Sequence, residues 1–173
     1  HLCYEALNLE QPELITGVHR EYLAAGAQLI ETNTFGANPL KLEKFGRAGE
    51  VARINRRGAE LATAAARPQG AFVAGSIGPT NRTASMSPDV ENPGLRNITF
   101  AELVTSYGDA ARGLIDGGAD LLLVETIFDT LNAKAALFAI EELFAARGIR
   151  LPVIVSGTIT DASGRTLSGQ VVE

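Results

Sequence analysis

Cysteine is nearly absent from this chain of 173 residues, in which Cys3 is the only one. One thiol can form neither a disulfide framework nor a metal site built from several thiolates. Histidine is as scarce, and His1 and His19 give no metal-binding or Ser/His/Asp spacing. The composition therefore favours a reducing, cytoplasmic setting, and we interpret Cys3 and His19 as residues without a role in chemistry.

Positive charge is also in deficit, because 15 Lys and Arg residues stand against 20 Asp and Glu residues. A nucleic-acid partner would require clustered basic residues, so nucleic acid is excluded as a partner. No apolar run reaches the ~18 to 20 residues needed to cross a bilayer, which argues against a membrane protein. Since the chain lacks an initiating Met and ends without a turn residue, we expect residues 1–173 to be one piece of a single domain, truncated at both ends.

Helical and strand-like segments alternate four times along the sequence. Apolar residues recur at helical spacing after Pro12, and Thr99 with Glu102 forms a capping-box pattern at a later helix start. Short apolar runs follow each helix after a glycine. Helices are predicted at about 13–25, 51–66, 102–116 and 129–146, and strands at 29–35, 71–77, 121–126 and 152–157.

This alternation predicts an α/β fold with a parallel sheet. The two candidate architectures are a (β/α)₈ TIM barrel and an open doubly wound sheet. A barrel typically requires ~250 residues, so four units amount to about half of one. A dinucleotide-binding doubly wound fold would show G-x-G-x-x-G after its first strand, and this spacing is absent. We therefore predict a partial TIM barrel.

Polar side chains follow each apolar strand, where parallel strands present their carboxyl ends to a ligand. For an isolated Ser or Thr, the alternative is a hydroxyl that satisfies the loop backbone. Glu125 follows four apolar residues, and its carboxylate is expected either to hold a substrate ammonium group or to pair with Arg82 or Arg112. The residues at these strand ends are Glu31, Thr32, Asn33, Ser76, Glu125, Thr126, Ser156 and Thr158.

Two long loops follow strands, at residues 78–97 and from residue 160 to residue 169. Loops of this length tend to form lids or binding surfaces, although residues 85–93 also fit a solvated linker. Neither loop has the spacing of a phosphate-binding P-loop.

Five sequence strings occur together in one order, and they resemble the homocysteine-binding module of the cobalamin-dependent methionine synthases, within the homocysteine S-methyltransferase family. The match covers essentially the whole chain. The strings are IETNTF at 30–35, GPTNRTAS at 78–85, NITF at 97–100, ETIFDTLNAK at 125–134 and SGTITD at 156–161.

The resemblance implies a (β/α)₈ barrel in which zinc binds the homocysteine thiolate and methylcobalamin donates the methyl group. Methyltetrahydrofolate remethylates the cobalamin on another module of the parent chain. The family's three zinc-binding cysteines fall outside these residues, which resemble the second to fifth barrel strands. By the same resemblance Glu125 holds the substrate ammonium group, and the loop with Asn81 and Arg82 faces a cobalamin or folate module. The remaining predicted substrate-binding residues are Glu31, Thr32, Asn33, Ser76 and Thr158.

Two alternatives stay open at this point. One is a cobalamin-independent relative that takes its methyl group from betaine or S-methylmethionine, and the other is an inert, incomplete domain. Because half a parallel barrel leaves two open strand edges, we expect the isolated chain to aggregate or stay partly molten. We also expect it to bind no stoichiometric zinc and to transfer no methyl group by itself.

Overall fold

The computed structural model describes residues 3–160 and 162–171. Asp161 of the second long loop lies outside the described residues. The terminal residues His1, Leu2, Val172 and Glu173, on which the expectation of a truncated domain rests, lie outside them as well. The elements are α1 Leu7–Glu10, α2 Pro12–Ala24, β1 Leu29–Glu31, α3 Pro39–Leu42, α4 Val51–Ala66, β2 Phe72–Ile77, α5 Phe100–Asp116, β3 Leu121–Ile127, α6 Thr130–Arg147 and β4 Val153–Gly157. Short 3-10 helices occur at Tyr4–Ala6, Glu43–Phe45, Ala48–Glu50 and Arg67–Gln69.

The described strands form one parallel sheet in the order β1-β2-β3-β4. Each strand therefore pairs with the next one along the chain, without the reversal of strand order that marks a doubly wound sheet. Apolar residues on one face of the sheet are buried against the long helices. Consecutive parallel strands with helices on one side are the arrangement of a TIM barrel. The predicted α/β fold, a partial barrel, is confirmed.

The opposite face of the sheet carries exposed apolar side chains. Leu29 on β1, Phe72 on β2 and Ile154 on β4 are 42%, 58% and 42% exposed. Their neighbours Ile30 and Val73 point to the helices and are buried, as the alternation of side chains along a strand requires. In a closed barrel this second face becomes the interior, which side chains from all strands fill.

The predicted helix boundaries agree closely with the structure, because local capping sets them. Thr99 and Glu102 form the expected capping box at the start of α5. Asp129 caps α6, and Gly148 ends that helix in a left-handed conformation with φ of 64°. One strand was predicted too long: β1 ends at Glu31 rather than at residue 35, because the chain turns sharply where the Thr34 N–H donates to the Thr32 carbonyl at 2.9 Å.

Across the described part of the chain, the helices are too short or too polar to cross a membrane.

Candidate functional site

The carboxyl end of β3 departs from regular strand geometry. Val124 pairs with Val155, but the next pair is Ile127 with Gly157, so β3 holds one more residue than β4 between these points. This is a β-bulge, and within it Thr126 adopts a left-handed backbone with φ of 55°. A β-branched residue in this conformation is an outlier that costs on the order of 1 to 3 kcal/mol. The bulge keeps Ile127 buried among the helices while Glu125 and Thr126 are both half-buried at the strand end.

The Glu125 carboxylate is held by a hydroxyl from the neighbouring strand. Ser76 on β2 donates its Oγ–H to Glu125 Oε1 at 2.5 Å, while Ser76 itself is only 2% exposed. The expected alternative, a salt bridge from Glu125 to Arg82 or Arg112, was wrong. Among the described residues, Arg82 lies 3.9 Å from Glu43 and Arg112 pairs with Asp109 at 2.9 Å, because both arginines are directed to surface carboxylates.

Ser76 is in turn fixed by residues that follow β1. The Ser76 N–H donates to Thr32 Oγ1 at 2.9 Å, and its carbonyl accepts from Thr34 Oγ1 at 2.8 Å. Thr32 is almost as buried as Ser76, so its hydroxyl supports Ser76 from within the fold rather than at the surface. Thr34 was not singled out from the sequence, because nothing in the spacing distinguishes it from its polar neighbours.

Glu31 is exposed at the end of β1, and it lies near a second acid. Partial desolvation of its carboxylate raises the pKa of Glu31, and the negative charge of Glu125 raises it further. Glu31 and Glu125 thus repel each other electrostatically across β2. They lie at equivalent ends of two strands that have similar sequences. The open side of the sheet therefore presents two carboxylates at its carboxyl end, of which one is anchored by a hydroxyl.

Replacing Glu31 by Gln should raise the melting temperature of the complete protein slightly at pH 7. A raised pKa means that the folded state disfavours the carboxylate, so the penalty is present above the raised pKa and absent below the ordinary value of 4.5. Because Glu31 is exposed, we expect only roughly 1 to 2 °C. Thermal melts at pH 7 and pH 4 test this, with Glu142→Gln as the surface control. A gain that is equally large at pH 4 would contradict the assignment.

Asn33 and Thr158 lie apart from the Ser76–Glu125 pair. The Asn33 Nδ2 donates to the Tyr4 carbonyl at 2.8 Å and to Asn8 Oδ1 at 3.1 Å, so this amide holds the first helical turns against the end of β1. Thr158 follows β4, and its N–H donates to the Ile127 carbonyl at 2.8 Å, next to the bulge. The structure thus brings Thr32, Ser76 and Glu125 into one hydrogen-bonded group, whereas Asn33 and Thr158 bond to other parts of the chain.

The long loop at residues 78–97 is tied to the start of α6. Asp129 Oδ2 accepts from the Ser85 N–H at 3.0 Å, and Asn132 Oδ1 accepts from the Ala84 N–H at 2.9 Å. Asn132 Nδ2 donates to the Arg82 carbonyl at 2.8 Å. Asp129 and Asn132 are both buried. The loop is therefore held against the start of α6 at residues 82–85, and the solvated-linker interpretation suits only its exposed later part.

Comparison with known proteins identifies the family. The sequence profile of the homocysteine S-methyltransferases, described as "Homocysteine S-methyltransferase", matches residues 2–173. The chain belongs to the homocysteine S-methyltransferase family.

Solved members of the family share the fold. The metallated form of the homocysteine methyltransferase MmuM from Escherichia coli is 28% identical over 96% of this chain, with a TM-score of 0.74. The oxidised form of MmuM is 26% identical over 99% of this chain, with a TM-score of 0.75. This chain covers 58% and 61% of those two chains, and so spans about three-fifths of their length.

The described residues of this homocysteine S-methyltransferase chain do not suit a zinc site. Within residues 3–160 and 162–171, no three His, Cys, Asp or Glu side chains come together in a way that could hold a metal ion. The pKa of the Cys3 thiol is raised, mainly by burial and also by the nearby Glu5 carboxylate.

Proposed function

We propose that this chain supplies the amino-acid-binding part of a barrel that transfers a methyl group to the homocysteine sulfur. In this proposal residues 1–173 are one portion of a single barrel domain. The observation that carries it is the Glu125 carboxylate at the β3 bulge, held through Oε1 by Ser76. The metallated and oxidised MmuM structures, both described as homocysteine methyltransferases, support the choice of substrate.

The proposed role of Glu125 is to bind the substrate ammonium group. With Oε1 occupied by the Ser76 hydroxyl, Oε2 is the oxygen we assign to the ligand. An ammonium group offers three donors and a positive charge, and a charge-assisted hydrogen bond to a carboxylate is about twice as strong as a neutral one. Glu31 adds negative potential at the same mouth. Thr32, Asn33, Ser76 and Thr158 are proposed to shape this end of the pocket rather than to react.

Activation of the thiol requires residues beyond this chain. A zinc ion, when bound in such enzymes, lowers the pKa of a coordinated thiol and makes the sulfur nucleophilic. We assign its ligands to the part of the barrel that these residues do not include. The contribution of residues 1–173 is then to orient the amino acid, so that its sulfur extends towards the barrel centre.

Methylcobalamin is the methyl donor that we propose. In this proposal the cobalamin and methyltetrahydrofolate bind to other modules of a longer parent chain. Support comes from the NRTAS string at 81–85 and the DTLNAK string at 129–134, which resemble the cobalamin-dependent methionine synthases. These two strings are bonded to each other through Asp129 and Asn132. A donor such as betaine or S-methylmethionine is the second candidate, because the family profile and the MmuM structures are equally compatible with it.

Methionine formation by the complete protein tests the proposal. Homocysteine is supplied with methylcobalamin, S-methylmethionine or betaine in parallel reactions, and methionine is quantified by mass spectrometry. We expect methionine only in the reaction that contains methylcobalamin. Turnover with either of the other donors and none with methylcobalamin would assign the second candidate, and absence of methionine with all three would refute a homocysteine methyltransferase.

A further inference from the structure

A directed chain of hydroxyl groups lies beneath Glu125. Thr34 Oγ1 donates to the Ser76 carbonyl at 2.8 Å, so its one proton is committed there. The hydroxyls of Thr32 and Thr34 are 2.6 Å apart, and the proton between them must therefore come from Thr32. Thr32 Oγ1 in turn accepts from the Ser76 N–H at 2.9 Å.

The result is a closed ring in which both backbone groups of Ser76 are bound by side chains. All three members of the ring are almost fully buried, with Thr34 and Ser76 each 2% exposed and Thr32 5% exposed. Buried hydrogen-bond networks that are fully satisfied hold their members rigidly. The Ser76 side chain then has its own proton free to donate to Glu125 Oε1 at 2.5 Å.

This arrangement explains why β1 ends early and Thr34 turns back. The side chains of Thr32 and Thr34 replace the backbone ladder where β1 stops, and they extend the contact with β2 from Ala74 to Ser76, two residues further along. A carboxylate that must keep one oxygen free for a ligand gains from a donor whose position is fixed before the ligand arrives.

We infer that Thr34 is a positioning residue for substrate recognition, acting through Thr32 and Ser76 to hold the Glu125 carboxylate in the orientation that binds an ammonium group. The inference rests on the proposed role of Glu125. It predicts that loss of the Thr34 hydroxyl weakens binding only of ligands that carry an amino group.

The test compares homocysteine with 4-mercaptobutyrate, a thiol acid of the same length without the amino group, by calorimetric titration of the complete protein. We expect Thr34→Val to weaken homocysteine binding roughly 2- to 13-fold, the range for loss of about one hydrogen bond, with 4-mercaptobutyrate binding unchanged. Thr34→Ser keeps the hydroxyl and should restore wild-type binding. Thr16→Val is the matched control, because Thr16 is a buried threonine of α2 whose hydroxyl donates to the Pro12 carbonyl.

Two outcomes would overturn the inference. Equal losses for both ligands would mean that Thr34 only supports the fold. In the double variant Glu125→Gln/Thr34→Val, the inference expects the homocysteine affinity of Glu125→Gln alone. Additive losses of affinity would mean that Thr34 does not act through Glu125. If Thr34→Val does not fold, Thr32→Val breaks the ring at its next hydroxyl and has the same expected result. Failure of Glu125→Gln to discriminate the ligands would refute the proposed site itself, whereas failure of the threonine variants alone would refute only this inference.

Discussion

Glu125→Gln is expected to weaken homocysteine binding by roughly 10- to 100-fold while leaving the metal content of the complete protein unchanged. The variant keeps the size of the side chain but removes the charge that an ammonium group pairs with, and hydrogen bonds to charged groups contribute about 1.5 to 3 kcal/mol. Ser76 can still donate to the amide oxygen, so the local packing should survive. Calorimetric titration with homocysteine measures the effect, and metal analysis of the same sample measures the zinc content.

A matched carboxylate separates this effect from a general change in charge. Glu60 on α4 pairs with Arg56 at 2.8 Å on the helical side of the fold, away from the sheet mouth. Glu60→Gln removes the same charge and should leave homocysteine affinity within twofold of wild type. Unaltered affinity in Glu125→Gln would contradict the assignment of Glu125, and a parallel loss of zinc would point to a metal-site role instead.

Asp129→Ala should be strongly destabilising, with a loss of about 3 kcal/mol in the free energy of unfolding of the complete protein. Asp129 accepts hydrogen bonds from the N–H groups of Ser85, Leu131 and Asn132, and it caps α6. Loss of a helix cap costs about 1 kcal/mol, and each buried donor left without a partner costs about 1 to 3 kcal/mol. Chemical denaturation followed by circular dichroism measures the change.

Asp109→Ala provides the comparison for that result. Asp109 lies on the surface of α5 and pairs with Arg112, and exposed ion pairs contribute about 0 to 1 kcal/mol. Limited proteolysis should also cut the loop at 78–97 more quickly in Asp129→Ala than in Asp109→Ala. Equal stability of the two variants would mean that Asp129 does not anchor the loop.

The helices and the parallel sheet could be predicted from the sequence because their signals are local. Pro12, the Thr99–Glu102 box and Gly148 each set a boundary through a conformation or hydrogen bond within a few residues. The alternation of elements predicted the fold class, and the absence of G-x-G-x-x-G together with the family resemblance favoured a barrel, but only the structure shows the strand order. That order depends on pairing between distant segments, which periodicity does not contain.

The site was predictable only in outline. A carboxylate after an apolar strand marks Glu125 as unusual, since burial without a partner is costly. Its partner could not be predicted, because the hydrogen bond from Ser76 crosses 49 residues of sequence and the two arginines considered instead face the surface. Thr34 was missed for a similar reason: its role exists only once β1 and β2 are paired.

Two short helices were also missed. Leu7–Glu10 and Pro39–Leu42 have four residues each, too few for an apolar period to be visible. Leu7–Glu10 is held by a long-range contact, the Asn8 Nδ2 bond to the Asn33 carbonyl at 2.8 Å, whereas Pro39–Leu42 begins at a local cap formed by Asn38. Tertiary contacts thus help to place the first of these helices before β1.

The left-handed conformation of Thr126 sets stability and recognition against each other at one position. Glycine or asparagine would adopt that backbone at lower cost, so selection for heat resistance alone would favour them there. Either replacement would also change the stiffness of the residue that follows Glu125, the carboxylate proposed to bind the ligand. Laboratory evolution for thermostability, with homocysteine binding still required, would test this. If threonine is retained at position 126, the bulge is kept for its shape.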